Sequence, residues 1–121
     1  MPENLDLVRS IFADWERGDF VSWAEREMDP AGEWVLTDGP EPTILKGTSA
    51  YLAWVHDFLN AWEGFRTGAD DYRELDDGRI LVLLHTSGGR GKTSGLELGL
   101  HGGGGAQVFE IRAGKVARVV T

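Results

Sequence analysis

The sequence contains no cysteine, which excludes disulfide staples, thiol nucleophiles, iron–sulfur clusters and cysteine zinc sites, and fits a reducing cytoplasm. It is also short of positive charge. Twelve Lys and Arg stand against 20 Asp and Glu, a formal net charge of −8, so nucleic-acid phosphates and anionic membrane surfaces are repelled on average. Neither nucleic acid nor a membrane is expected as a partner. No apolar run approaches the ~18 residues of a membrane span, and the acidic start Met-Pro-Glu-Asn-Leu-Asp lacks the basic flank of a signal peptide. A cytoplasmic protein is the expectation. Histidine is scarce too: His56, His85 and His101 are the three, and none stands at ligand spacing from another histidine or a nearby carboxylate. No metal and no cofactor is expected.

What the chain does have is apolar and aromatic mass. Its 121 residues are 41% apolar and 10% aromatic, with five Trp. That length implies one domain, residues 1–121, which can bury about two thirds of its unfolded surface. Leu5, Val8, Phe12 and Trp15 recur at steps of three and four, so 4–17 reads as an amphipathic helix ended by Gly18. Asp19 then caps a short second helix carrying Phe20, Trp23 and Ala24, which Asp29-Pro30 breaks. A short strand follows over Glu33 to Thr37, and Asp38-Gly39-Pro40-Glu41-Pro42 forms a loop. Thr48 caps a third helix running to about Trp62, whose wide apolar set predicts burial on more than one side.

Beyond Gly64 the period changes to that of strands, over 65–75, 79–86, 93–101, 106–112 and 116–121, with hairpin turns at Asp76-Asp77-Gly78 and Ala113-Gly114. Gly102 to Gly105 reads as a flexible hairpin loop. Ile80-Leu81-Val82-Leu83-Leu84 is apolar on both faces. Helices cover one face only, so the other calls for a second copy of the chain.

Familiar motifs fail on spacing. Gly91-Lys92-Thr93 resembles the tail of a P-loop, but Thr86 stands where its first glycine belongs, and Ser94 replaces the third glycine of a dinucleotide fingerprint begun at Gly89. His101-Gly102-Gly103-Gly104 has no Gly-x-Ser-x-Gly elbow to serve. Three polar residues remain open to two readings. Asp38 either caps the turn before Gly39-Pro40 or places a carboxylate at the mouth of a pocket. His85, on the face of Leu81 and Leu83, is either satisfied by a core hydrogen bond or looks into that pocket. Glu97, flanked on its face by Gly95 and Gly99, is a solvent-side carboxylate, a pocket acid or an interface group.

The order and spacing of five phrases carry a resemblance: Trp15-Glu16-Arg17-Gly18-Asp19-Phe20, Thr37-Asp38-Gly39-Pro40, Leu45-Lys46-Gly47, Gly89-Arg90-Gly91-Lys92-Thr93-Ser94-Gly95 and Ile111-Arg112-Ala113-Gly114-Lys115-Val116. Over nearly the whole chain the sequence resembles the nuclear transport factor 2-like superfamily, in its SnoaL-like polyketide cyclase and ketosteroid isomerase-like branch. The resemblance implies an α+β cone: three N-terminal helices packed on a strongly curved, mixed and mainly antiparallel sheet that encloses an apolar pocket and pairs with another subunit through its outer face.

It further implies proton transfer next to a carbonyl of a polyketide- or steroid-like substrate, with Asp38 in the position of the general base. Gln107 falls near the strand acid, while Ile11 or Phe12 replaces the helix-one tyrosine that would stabilise an enolate. These departures weaken an isomerase more than a cyclase. Relatives also usually carry a further tail beyond the position of Thr121. The expected pocket walls are Trp15, Trp34, Trp54, Phe58, Trp62 and Phe109, with His85 as a further contact. The rival expectation is a non-catalytic ligand-binding or dimerisation module. Epoxide hydrolysis ranks last, because Arg90 and Arg112 lack matching acids.

Overall fold

A computed structural model describes residues 2–37, 41–75, 77–87, 90–91 and 103–121. Helix α1 (Pro2–Glu16) buries Val8, Phe12 and Trp15 of the expected stripe completely or nearly so and Leu5 in part, with Ile11 fully buried beside them. Gly18, at φ +87°, ends it: the Gly18 amide donates to the Trp15 carbonyl at 2.9 Å and the Asp19 amide to that of Asp14 at 2.9 Å, a Schellman closure. The Asp19 carboxylate accepts from the Val21 and Ser22 amides and so opens helix α2 (Ser22–Glu27), which buries Trp23 and Ala24. Those bonds, that to Ser22 foremost, hold the Asp19 carboxyl below its ordinary range. Asp14, buried at the end of α1, takes Arg17 on one oxygen and Arg26 on the other and ties the two helices together.

Strand β1 (Met28–Leu36) begins five residues earlier than its sequence pattern indicates, because Asp29-Pro30 does not break the chain but bulges it. The register to its parallel neighbour β8 (Lys115–Val120) shifts between Met28 and Glu33. Gly32 sits at this crowding: a Cβ there would lie 2.9 Å from the Asp29 carbonyl oxygen and 3.0 Å from that of Val116. Strand β2 (Thr43–Lys46) pairs with β1, and helix α3 (Thr48–Ala61) follows. A two-residue strand β3 (Trp62–Glu63) meets β6 (Arg90–Gly91) outside the main sheet. Strands β4 (Arg66–Glu74), β5 (Ile80–Ser87) and β7 (Gly103–Arg112) complete a six-stranded sheet in the order β2-β1-β8-β7-β5-β4, antiparallel except for β1 with β8.

This is an open, cone-like α+β fold. Ile80, Val82, Leu84, Phe109, Val116 and Val119 point toward the helices and are buried with them, whereas Leu81 and Leu83 on the opposite face are half-buried. The Ala113-Gly114 turn has both residues at positive φ, as a tight hairpin between β7 and β8 requires. Two expectations change. Gly103, Gly104 and Gly105 are not loop but strand, paired with Thr86, His85 and Leu84, because the ladder along β5 overrides the weak strand preference of glycine. Helix α3 is not buried on two sides: Tyr51 and Val55 are buried, and Trp54, Phe58 and Leu59 are half-buried around a cavity. The strand expected over 93–101, with Glu97, lies outside the described residues.

Candidate functional site: an aromatic cavity between helices and sheet

Between α3 and the concave sheet face lies a cavity of about 490 Å³. Its wall is a continuous belt of ring contacts. Trp54 stacks on Phe58 at 5.3 Å between centroids, Phe58 meets Phe65 edge-on at 5.1 Å, and Phe65 meets Phe20 at 5.9 Å. From Phe20 the belt continues to Trp15 at 6.2 Å, to Trp34 at 5.9 Å and to Tyr51 at 4.8 Å, one turn of α3 from Trp54. Every one of these seven rings borders the cavity. Leu84, Thr86 and Gln107 close it from the sheet side.

Polar groups are few, and among the described residues no charged side chain lines the cavity. The Tyr51 hydroxyl donates to the Phe20 carbonyl at 3.0 Å and accepts from the Trp23 indole at 3.2 Å, so its proton is committed. Burial pushes this phenol well above its ordinary value. By contrast, the indole nitrogens of Trp15 and Trp34 and the Oε1 of Gln107 are buried and have no partner among the described residues. All three residues border the cavity.

Of the residues expected from sequence, Trp15, Trp34, Trp54, Phe58 and Gln107 meet at this cavity. Phe109 does not line it: fully buried, it packs beneath, 6.0 Å from Phe12 and 6.3 Å from Trp15. His85 does not line it either. Since Leu84 and Thr86 face the cavity, His85 points to the other side of β5, half exposed, with Nδ1 2.7 Å from the Asp70 carboxylate and its ring over Gly68. The backbone of Trp62 pairs with Gly91, but its side chain lies outside the described ones.

Asp38 also lies outside the described residues, yet Leu36 and Thr43, on either side of that loop, both border the cavity, as does Thr121, to which Thr37 is tied. Ile11 and Phe12 are fully buried and add no hydroxyl donor. Phe20, Phe65 and Tyr51 are wall residues that the sequence reading does not name: it sets Phe20 on the second helix and Phe65 in the strand over 65–75, whereas both stand in connections just before those elements.

No protein-family model matches the sequence, and no curated protein matches it. Solved structures do match. Bal32a, from a soil-derived mobile gene cassette, superposes with a TM-score of 0.78 at 21% identity, over 98% of this chain and 87% of its own. A candidate SnoaL-like polyketide cyclase from Jannaschia sp. CCS1 gives 0.74 at 11% identity, over 98% and 83%. The chain shares its fold with these structures and with an NTF2-like protein from Burkholderia pseudomallei, TM-score 0.76 at 18% identity over 99% of this chain and 89% of its own. Another neighbour, TerC, co-crystallized with polyporic acid, gives 0.75 at 17% identity, over 98% and 88%. In this chain the aromatic cavity lies under α3, and shared fold alone does not decide its chemistry.

Proposed function

We propose that the chain binds a neutral, largely apolar and planar small molecule in the aromatic cavity, and that Asp38 removes a proton next to a carbonyl of that ligand, in an isomerisation or aldol-type cyclisation. The belt of seven rings around about 490 Å³ carries the binding part. Such a volume suits a drug-sized ligand, and a wall that carries no charged side chain among the described residues disfavours an ionic one. The catalytic part is supported by Leu36 and Thr43, which bring both ends of the Asp38 loop to the cavity. Neighbours that include a candidate cyclase and a candidate isomerase agree with this chemistry.

One observation favours a non-catalytic ligand-binding module instead: the Tyr51 proton is already used on Phe20, and Ile11 and Phe12 provide none. Turnover separates the two readings. Binding itself is tested by titrating neutral polycyclic ketones and following Trp emission and melting temperature. Quenching with a rise in melting temperature is expected, and failure across a diverse panel with folded protein overturns the binding reading.

The outer sheet face supports a second copy of this chain as partner. Ile44, Val35, Val120, Val108 and Leu81 form one cross-strand row over five strands, and Ile44 is 46% exposed. Cysteine-free and acidic, with no described helix long and apolar enough to cross a membrane, the protein is proposed to work in the cytoplasm, without nucleic acid or membrane partners.

A further inference from the structure

Strand β7 begins with three consecutive glycines, Gly103, Gly104 and Gly105, paired without a register shift to Thr86, His85 and Leu84. Alternation puts Gly105 on the face of Gln107, two residues on, and pairing puts it on the face of Leu84. Leu84 and Gln107 border the cavity, and so does Thr86, the diagonal neighbour on β5. A side chain at position 105 would therefore stand among three wall residues and point into the space they enclose. Gly105 is exposed while Leu84 and Gln107 beside it are buried, so the bare backbone is open. On the other side of Leu84 stands only Ala69 of β4. This part of the floor is thin, whereas α3 opposite carries the stacked Trp54 and Phe58.

Glycine weakens a strand, because it loses the most backbone freedom on ordering and packs nothing, so its place in an unbroken ladder needs a reason. Gly18 is required by its positive φ, and Gly32 by carbonyl oxygens too close to admit a side chain. Gly105 answers to neither need. Its φ lies outside the left-handed region and the ladder to β5 has no bulge. Among the described residues a Cβ there would meet only Leu84 Cδ1, at the ordinary contact distance of 3.6 Å. The remaining use of a strand glycine is the close approach of something that is not part of the strand.

We infer that Gly105 sets the width of the ligand: the cavity takes a planar system of fused rings, one ring of which lies flat on the bare backbone of β7 between Leu84 and Gln107. This rests on the binding reading above and adds a shape to it, since wide fused ligands need the vacancy at Gly105 and narrow ones do not. A peptide plane accepts the face of a ring at van der Waals distance, and a branched side chain at position 105 would hold that ring away. Gly105 is thus a specificity-determining position with no side chain of its own.

Two ketones test this, 9-fluorenone and 1-indanone, the first being the second with one more fused benzo ring. Titration of the full chain, followed by Trp emission, is expected to show 9-fluorenone binding about tenfold tighter, the scale of burying the added ring. In Gly105→Leu that ratio should collapse toward one, with 1-indanone held within about twofold of its affinity for the parent. Gly105→Val takes the place of the Leu variant should that one fail to fold. Gly105→Ala should melt about 2–5 °C above the parent, because the strand loses a glycine that its own geometry does not require. If Gly105→Ala melts below the parent, the glycine serves the strand itself and the inference is overturned. It is equally overturned, while the cavity stands, if the parent binds the two ketones alike, if the ratio survives in Gly105→Leu, or if both ketones weaken there together. If neither ketone binds the parent, the binding reading falls and this inference with it.

Discussion

The hydroxyl of Tyr51 lies 3.0 Å from the Phe20 carbonyl oxygen and donates to it, fastening α3 to the connection between α1 and α2. Because Trp23 Nε1 donates to the same hydroxyl, one buried phenol holds three parts of the cavity wall. Tyr51→Phe leaves a carbonyl and an indole unpaired and should cost about 1–3 kcal/mol in urea unfolding. The same group makes stability fall in alkali. Burial raises the folded phenol above the ordinary value of 10.0, so above that pH the unfolded chain gives up a proton that the folded one keeps. Tyr51 then costs ~1.4 kcal/mol for each further pH unit until the folded phenol itself ionises. Comparing unfolding of the parent and Tyr51→Phe between pH 9 and pH 11, ranges set on the order of one unit around that value, should show the steeper decline in the parent alone.

Asp38→Asn tests proton abstraction directly. If Asp38 is the base, turnover of a responsive substrate drops by ~10²–10⁴ while ligand affinity stays nearly constant. If it caps the turn before Gly39-Pro40, stability falls by about 1 kcal/mol and any activity survives. Single-turnover kinetics and thermal unfolding of the same preparation distinguish the two outcomes.

Val108 stands at the middle of the outward row, between Val120 on one strand and Leu81 on the other. A second copy seated there should bury on the order of 1,000–2,000 Å² in total. Sedimentation at micromolar concentration should therefore give twice the 13.3 kDa chain mass, and Val108→Asp should return it to the single-chain value. A parent protein sedimenting at 13.3 kDa would sink the dimer.

The helices were legible because periodicity is local: Leu5, Val8, Phe12 and Trp15 mark one stripe whatever they later touch. The strand faces were legible only as alternation. Sequence placed His85 with Leu81 and Leu83 correctly, but which side of that strand faces the helices is decided by packing, and it is the side of Leu84 and Thr86. Asp29-Pro30 and Gly103 to Gly105 were read as a break and a loop because proline and glycine were weighed by propensity, while the structure carries β1 through the first as a bulge and pairs the glycines with β5. Four of the seven belt aromatics were anticipated. Phe20 and Phe65 were not, since the helix and the strand to which periodicity assigned them begin only at Ser22 and Arg66, and the rings turn from the connections before them. The orphaned indoles could not be read at all, because a hydrogen bond that is missing leaves no trace in composition or spacing.

The belt and the core meet in a triangle of indoles. Trp15, Trp23 and Trp34 lie 5.8, 5.9 and 6.0 Å apart, centroid to centroid. Transition dipoles that close couple strongly, so an absorbed ultraviolet photon is shared among the three rings instead of residing on one. The folded chain should accordingly show a split exciton band in circular dichroism near the indole absorption. Replacing any one of the three by Phe should collapse that band toward the pattern of the remaining pair. Occupation of the cavity against Trp34 would then alter the optical signature of Trp23, which borders no part of it.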